Sequence, residues 1–517
     1  MTFQLFNEEL SSVVNIGNMY KEYLKISKTV DKQKLLKLDA VKELGVNPYP
    51  HTFRQDLHAK DLIEKYSDLA TEEHRENDLY SVAGRLMLRR KMGKAAFYDI
   101  YDESGRIQVY LQKPELTELE NNLLSCLDIG DFIGVKGFVF RTKTGEISIH
   151  CREIVLLSKS IAPMPEKFHG LTDTELRYRQ KFIDLTMNPE VREIFKKRCF
   201  IVNEIRNFFI NRGFTEVETP ILQPIYGGAN AKPFVTHHNS LDMQLFLSIS
   251  PELYLKKLIA GGFEKVFTIC KNFRNEGCDT THNPEFTMIE WYEAYTDYNY
   301  QMVQVENLIE DIVKKMNNGN TTLNIRGFDV DFKTPWQRLS IYDGLRQYAK
   351  IEPTTITKDE VINELEKYKK DIEIRKERGE LLMELFEETA EKYLIQPTFV
   401  MDHPVEISPL TKAHRTEKGL VERFEGFVAQ KEMCNAYSEL NDPIDQGFRL
   451  HEQELHRDFD EEAQLMDKNF LHAVEFGMPP MGGVGIGIDR LVMFLTGQDT
   501  IRDVIAFPTM KLRPEDL

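Results

Sequence analysis

The stretch from residue 79 to residue 157 constrains this chain most, because its hydrophobic period is two rather than helical. Leu79–Arg89, Ala95–Asp102 and Gly105–Leu111 alternate apolar and polar residues, as strands with one buried face do. Glu103-Ser104-Gly105 supplies the turn between the last two. A helical run, Glu115–Leu127, interrupts, and strands Asp131–Arg141 and Glu146–Leu157 follow around Thr142–Gly145. Three strands, a helix and two strands predict a small closed barrel.

That is the order of an OB-fold, whose exposed face carries aromatics that stack unpaired bases. Phe97 and Gln108 sit on the second and third strands, suited to stacking and edge-reading, with core packing the competing reading for Phe97. Arg85, Arg89, Arg90, Lys91 and Lys94 offer a local basic footprint, or equally a solvated face. Locality matters here. With 66 basic and 83 acidic residues the net charge is −17, whereas neutralising phosphates is the main source of nonspecific nucleic-acid affinity.

A chain of 517 residues exceeds one hydrophobic core. Residues 1–75 read as a helical segment broken at Asn47-Pro48-Tyr49-Pro50, 76–158 as the barrel, and 159–178 as a linker around Pro163-Met164-Pro165. Residues 179–517 read as a larger α+β domain with a mainly antiparallel sheet flanked by helices. It opens with helix Pro189–Arg212, ended by Gly213, and carries strand-like runs at 245–249, 264–274, 284–294 and 420–440. No GxGxxG follows a strand and no GxxxxGK[ST] occurs, so a Rossmann or P-loop nucleotide site is disfavoured. No run approaches the roughly eighteen apolar residues that span a bilayer. Glu8, Glu9, Glu22 and Asp31 argue against a transit peptide, so a cytoplasmic location and no membrane partner are expected. The six cysteines form no CxxC, and Cys270, Cys278 and His282 lack a fourth zinc ligand.

Three segments carry chemistry. Arg212-Gly213-Phe214 runs into Thr215-Glu216-Val217-Glu218-Thr219-Pro220; Phe273-Arg274-Asn275-Glu276-Gly277 leads to His282-Asn283-Pro284-Glu285-Phe286-Thr287; Gly485-Ile486-Gly487-Ile488-Asp489-Arg490 opens an apolar helix. In this order and spacing they resemble the three signature motifs of class II aminoacyl-tRNA synthetases. The resemblance implies adenylate formation, in which charge builds on phosphoryl oxygens and an arginine fork is suited to clamp it. It assigns Arg274 to the α-phosphate, Arg490 to the far phosphates, Glu276 to the adenine amino group, His282 to the γ-phosphate and Phe286 to stacking on adenine.

Phe424–Glu432 reads as a hairpin turning at 428–429, which would set Glu425 opposite Glu432. Like charges across a hairpin destabilise it, so a Mg²⁺ bridging ATP phosphates is the expected compensation; the family holds Mg²⁺–ATP with carboxylates at these positions. Asn435, Tyr437 and Glu439 share one face, while Glu432 has the opposite parity. Bringing all four into one site requires a β-bulge near Met433-Cys434.

Synthetases of this class with an N-terminal OB barrel divide mainly among aspartate, asparagine and lysine. Acids near the motifs favour a cationic substrate, since a buried ammonium needs paired carboxylates. The closer resemblance, over roughly residues 32–512, is to the lysine-specific branch. It implies Gly228, Glu252 and Glu290 at the α-amino group, Arg274 and Asn435 at the α-carboxylate, Tyr292 and Glu439 at the ε-ammonium, and Tyr437 in the same pocket. It further implies a homodimer built on the first motif, tRNA(Lys), lysine and ATP as partners, and an anticodon read by Arg85, Phe97 and Gln108. An aspartyl or asparaginyl enzyme and a non-catalytic RNA-binding paralogue are the alternatives; the latter would usually lose Arg274, Arg490, Glu425 or Glu432, and all are present.

Overall fold

The computed structural model describes the chain except for residues 1–22, 28, 166–170, 374, 457–465 and 514–517. The helical reading of residues 1–30 therefore falls largely outside the described residues. Two compact units divide at residues 169–170.

The first unit holds helices α1 (Lys32–Glu43) and α2 (Ala59–Lys65), then strands β1 (His74–Met92), β2 (Ala95–Tyr101) and β3 (Arg106–Gln112), helix α3 (Glu118–Cys126), and strands β4 (Phe132–Arg141) and β5 (Ile147–Ser158). The strands close in the order β1-β2-β3-β5-β4, with parallel β3–β5 pairing completing the circle. Closure removes every free edge. Alternation sorts β2: Ala96, Tyr98 and Ile100 enter the core, while Phe97 lies on the outer face against Tyr110 at 5.0 Å between ring centres. Phe97 is therefore not a core residue. Thr117 and Glu120 form a reciprocal cap that starts α3.

The second unit is built on an eight-stranded sheet of β6 (Thr215–Glu216), β7 (Lys265–Phe273), β8 (Glu285–Ala294), β9 (Gln337–Ser340), β10 (Thr398–Pro404), β11 (Leu420–Val428), β12 (Lys431–Ser438) and β13 (Met481–Gly487). Their spatial order is β9-β10-β11-β12-β13-β8-β7-β6. It is antiparallel except at its margins, where β9–β10 and β7–β6 run parallel. Helices α4 (Pro189–Ile210) and α6 (Tyr298–Met316) bury one face of the sheet, with Phe209 and Trp291 4.7 Å apart at the centre of that core. The other face is left as a cleft. Helix α5 (Glu252–Ala260) walls it, and helix α7 (Ile488–Leu495) leaves the end of β13.

The hairpin register differs from expectation. Ala429 and Gln430, both with positive φ (49° and 67°), form the turn, one residue later than the symmetric fold at 428–429. Val428 then pairs with Lys431 and Phe427 with Glu432, and Glu425 faces Asn435. Glu425 and Glu432 are thus not direct cross-strand neighbours, although each still feels the other's charge. The expected bulge is present: Gly426 pairs with Cys434 and Phe427 with Glu432, leaving Met433 as the extra residue. It restores Glu432 to the cleft side while Met433 joins the core.

Candidate active site

Strand register assembles the cleft row by row. Thr268, Glu290, Gly485, Asn435 and Glu425 are successive partners across five strands, and Tyr292, Gly483, Tyr437 and Arg423 form the next row. Because side chains alternate, every member faces the same side. The resulting cavity of about 450 Å³ is lined by Gly228, Glu252, Arg274, Glu276, His282, Phe286, Glu290, Tyr292, Glu425, Glu432, Asn435, Tyr437 and Arg490. All of the residues expected to bind ATP or the amino acid are there except Glu439, which lies beneath the floor.

One end is acidic and dry. Glu290 accepts hydrogen bonds from Ser250 Oγ (2.9 Å) and Tyr292 OH (3.1 Å). Burial, reinforced by Glu252, pushes its carboxyl up to about 8. Glu439 is 1% exposed and is paired with the buried ammonium of Lys256. Burial raises it to about 8 as well, against the pull of Lys256. Gly228 has φ +85°, and a Cβ there would meet Glu252 Cβ at 2.9 Å and Ser250 Oγ at 3.0 Å, so only glycine leaves this wall open. Gly483 has the same role on the floor, where a Cβ would collide with Glu439 and Tyr292. Gly483→Ala is expected to raise the amino-acid KM at least tenfold and to cost about 1–3 kcal/mol of stability; an unchanged KM would mean that the floor yields freely.

These raised carboxyls also set a pH dependence. Both groups bind protons more tightly when folded than when unfolded, so their stabilising contribution is complete below the ordinary carboxylate range and is lost as pH rises through about 8. The ligand-free melting temperature is expected to fall between about pH 5 and pH 8 and to level off above that, less steeply in Glu439→Gln. A profile of equal slope in both proteins would contradict the assignment.

The opposite end is basic. Arg274 continues from β7, its backbone N–H donating to Pro284 O at 2.9 Å. Its Nε is buried with no hydrogen-bond partner among the described residues, and its guanidinium stands 5.2 Å from the centre of the Phe286 ring. Arg490, in the first turn of α7, donates to Glu432 O at 2.9 Å and to Glu432 Oε2 at 3.0 Å, and its other nitrogen lies 3.4 Å from His282 Nε2. Asp279, 2.8 Å from His282 Nδ1, is held below the usual carboxylate range: its burial acts the other way, but backbone N–H groups of Thr281 and His282 outweigh it. Asp489 anchors this helix start by accepting from Thr287 N at 2.6 Å and pairing with Arg198 of α4 at 2.5 Å. Glu276 is exposed at the mouth.

Each hairpin acid has its own counter-ion. Glu425 Oε1 lies 2.7 Å from Arg423, and His403 Nε2 is 3.7 Å from its other oxygen. Although burial opposes it, Arg423 and His403 bring Glu425 down to about 2. Glu432 is raised by burial and by Glu425, against Arg490. Beside them Glu387 and Glu391 are pushed up to about 6 and about 7 by partial burial and by neighbouring acids, Glu425 among them.

On the barrel, two of the three expected contacts, Arg85 and Gln108, diverge. Phe97 and Tyr110 present aromatic surface on the outer face. Gln108 is buried and satisfied, donating to Glu146 at 3.0 Å and accepting from Ser148 at 3.0 Å. Arg85 pairs with Tyr101, four residues along β2 from Phe97, roughly 13 Å away. Its guanidinium donates to Gly130 O at 3.0 Å and stacks 4.2 Å over Phe132. Arg89 likewise donates to the Leu124 and Leu127 carbonyls. The basic footprint is therefore split, with Arg85 and Arg89 committed to the barrel itself.

An arginine fork facing the cleft, a strand-to-helix arginine beyond it and a glycine-floored acidic pocket lie on one mainly antiparallel sheet. Residues 173–511 match the family described as tRNA synthetases class II (D, K and N), and residues 80–157 match an OB-fold nucleic acid binding domain. The chain belongs to the class II tRNA synthetases. Among curated relatives, a protein of Clostridium novyi is 50% identical over 487 residues, covering 93% of this chain and 94% of its own length. One from Syntrophomonas wolfei is 48% identical over 501 residues (96% and 100%), and one from Methanoculleus marisnigri 50% over 484 residues (93% and 95%). All three are named Lysine--tRNA ligase.

Sequence reasoning passed over residues that organise this synthetase site. Arg423 links Glu425, Asn435 (3.1 Å), Ile407 O (3.0 Å) and Ser408 (3.1 Å); its parity with Glu425 was the available signal. Gly483 was legible only as half of a period-two glycine series. Lys256 follows Glu252 by one helical turn, the spacing of a helix ion pair.

Proposed function

We propose that this synthetase activates lysine with ATP and transfers it to tRNA(Lys). The observation that carries this reading is the three-carboxylate pocket of Glu252, Glu290 and Glu439 at the end of the cleft opposite Arg274. An amino acid ending in an ammonium satisfies that charge; an aspartate side chain would be repelled by it. The names of the relatives support the same reading.

Glu252 and Glu290 hold the α-ammonium, and Glu439 beneath Tyr292 draws the ε-ammonium to the floor, with Tyr437 lining the way. Arg274 and Asn435 orient the α-carboxylate so that one oxygen attacks the α-phosphorus, forming the Pα–O bond as the bond to diphosphate breaks. Arg274 meets the charge that develops on the phosphoryl oxygens, and Arg490 and His282 receive the diphosphate. Phe286 stacks the adenine, and Glu276 accepts from its amino group. A ribose hydroxyl of the tRNA 3′ end then attacks the acyl carbon, and AMP leaves.

Glu425 and Glu432 would hold Mg²⁺ with the ATP phosphates, and the excess of acid around Glu387 and Glu391 fits a cation there. Among the described residues no three His, Cys, Asp or Glu side chains converge as a metal site, in keeping with an ion that takes one or two carboxylates plus phosphate oxygens. When bound, the ion neutralises phosphate charge. A homodimer is part of the reading: Phe200 and Ile210 on α4 and Ile221 and Leu222 beyond Pro220 are exposed apolar side chains on the first motif. The barrel would bind the anticodon through Phe97 and Tyr110, with Gln108 released from Glu146 to read a base edge. A cytoplasmic location belongs to the same reading; no helix among the described residues is long and apolar enough to cross a membrane.

ATP–pyrophosphate exchange with each of the twenty amino acids tests the proposal. Exchange with lysine is expected. Exchange with aspartate and not lysine would overturn the substrate, and none at all would leave a non-catalytic RNA-binding protein.

A further inference from the structure

Helix α5 carries a residue that no role above uses. Lys256 is fully buried, and its Nζ donates to Glu252 Oε1 at 2.5 Å. On its other side it forms an ion pair with Glu439 Oε2. The rings of Tyr292 and Phe470 stand 6.0 Å and 5.9 Å from the ammonium. A lysine this deep cannot reach water with its tip, as lysines near a surface do. Burial pulls its pKa down, but Glu252 and Glu439 outweigh burial and keep it charged.

We propose that Lys256 is a built-in counter-ion that fixes the charge and the spacing of the amine end of the pocket, so that the site accepts an amino acid bearing two ammonium groups. This positioning role rests on the lysine reading above. The groups facing one another here are Glu252 and Lys256 from α5, Glu290 and Tyr292 from β8, Tyr437 from β12 and Glu439 just beyond it. Three carboxylates against one resident ammonium leave two negative charges when all are ionised. Lysine brings two ammoniums to meet them, and its carboxylate goes to Arg274. An amino acid with only the α-ammonium leaves one buried carboxylate uncompensated, and that carboxylate must take up a proton.

The geometry adds a second constraint. One ammonium touching both acids ties the wall, through Glu252, to the floor, through Glu439. The two substrate ammoniums are thereby held at a set separation along the cleft. Without Lys256 the three acids repel more strongly, the ligand-free pocket holds one proton more than in the parent, and the floor is no longer tied to the wall.

The test compares the parent with Lys256→Met and Lys256→Arg. The lysine and ATP KM values are read in pyrophosphate exchange. Calorimetric titrations in two buffers of different ionisation enthalpy count the protons released when lysine binds. In Lys256→Met the lysine KM is expected to rise about 100-fold or more, the ATP KM to stay within about threefold, and lysine binding to release about one proton more than in the parent. Lys256→Arg, which keeps the charge, should retain the parental proton count and a lysine KM within about tenfold. A merely structural lysine would lower the melting temperature and kcat without moving the proton count. Parental KM and proton count in Lys256→Met would overturn the proposal. If that variant does not melt cooperatively, Lys256→Arg decides: a parental proton count supports the proposal and an altered one overturns it. Failure of the lysine reading is seen separately, as absence of lysine-dependent exchange in the parent.

Discussion

Replacing Arg274 with alanine is expected to lower kcat/KM for lysine-dependent pyrophosphate exchange by about 10³- to 10⁵-fold, the range over which a transition-state arginine acts in phosphoryl transfer. The Arg274 Nε is buried without a hydrogen-bond partner among the described residues, a donor held ready rather than spent on the fold. Its one ring contact, with Phe286 at 5.2 Å, leaves the guanidinium edge free for oxygens. Lysine cannot replace it, because a point charge does not reproduce the planar fork, so Arg274→Lys should recover less than about tenfold. Since its Nε makes no hydrogen bond among the described residues, the melting temperature should stay near the parent's. A loss below tenfold in the alanine variant would remove Arg274 from the phosphate.

Glu439→Gln is expected to raise the lysine KM by about 100- to 1,000-fold with the ATP KM within about threefold, the scale of breaking one partner out of a buried charge pair. The amide keeps the shape and removes the charge, and Lys256 remains paired to Glu252 at 2.5 Å, so the fold is retained. The same variant should lose discrimination against uncharged isosteres of lysine. Ornithine is a different case: one methylene in a pocket is worth only about 1–3 kcal/mol, so the parent should already misactivate it weakly. An unchanged lysine KM in Glu439→Gln would detach Glu439 from the ε-ammonium.

Much of this was legible because strands announce themselves by period. The expected strands at 264–274 and 284–294 are β7 and β8 to within a residue or two, and the barrel strands match as closely except β1, which begins five residues before Leu79 and ends three after Arg89. Parity also exposed the Glu432 problem and required the Met433 bulge that the ladder contains. What parity could not supply was the turn. Ala429 and Gln430 both take positive φ, which neither residue advertises, and the one-residue difference together with the Met433 bulge moved Glu425 from Glu432 to Asn435. The edge strand β9, whose four residues carry too little pattern, and β10 were missed too. On the barrel, composition marked Arg85 and Arg89 as a basic run, yet the carbonyls of Gly130 and of residues 124 and 127 claim them. Local charge says nothing of which backbone oxygens tertiary structure will bring near.

The alternating glycines of β13 have a consequence for how such a pocket can change. Along that strand a methyl group would collide with Glu439 and Tyr292 at Gly483, would press on Met288 at 3.2 Å at Gly485, and would meet only its neighbour Arg490 at 3.9 Å at Gly487. Tolerance to added atoms therefore rises steadily from the side-chain end of the substrate towards the phosphates. Such a floor is a graded ruler cut by omission: the length of the amino acid can be retuned by single carbon atoms at one end of a strand while the ATP end, four residues away, keeps its shape.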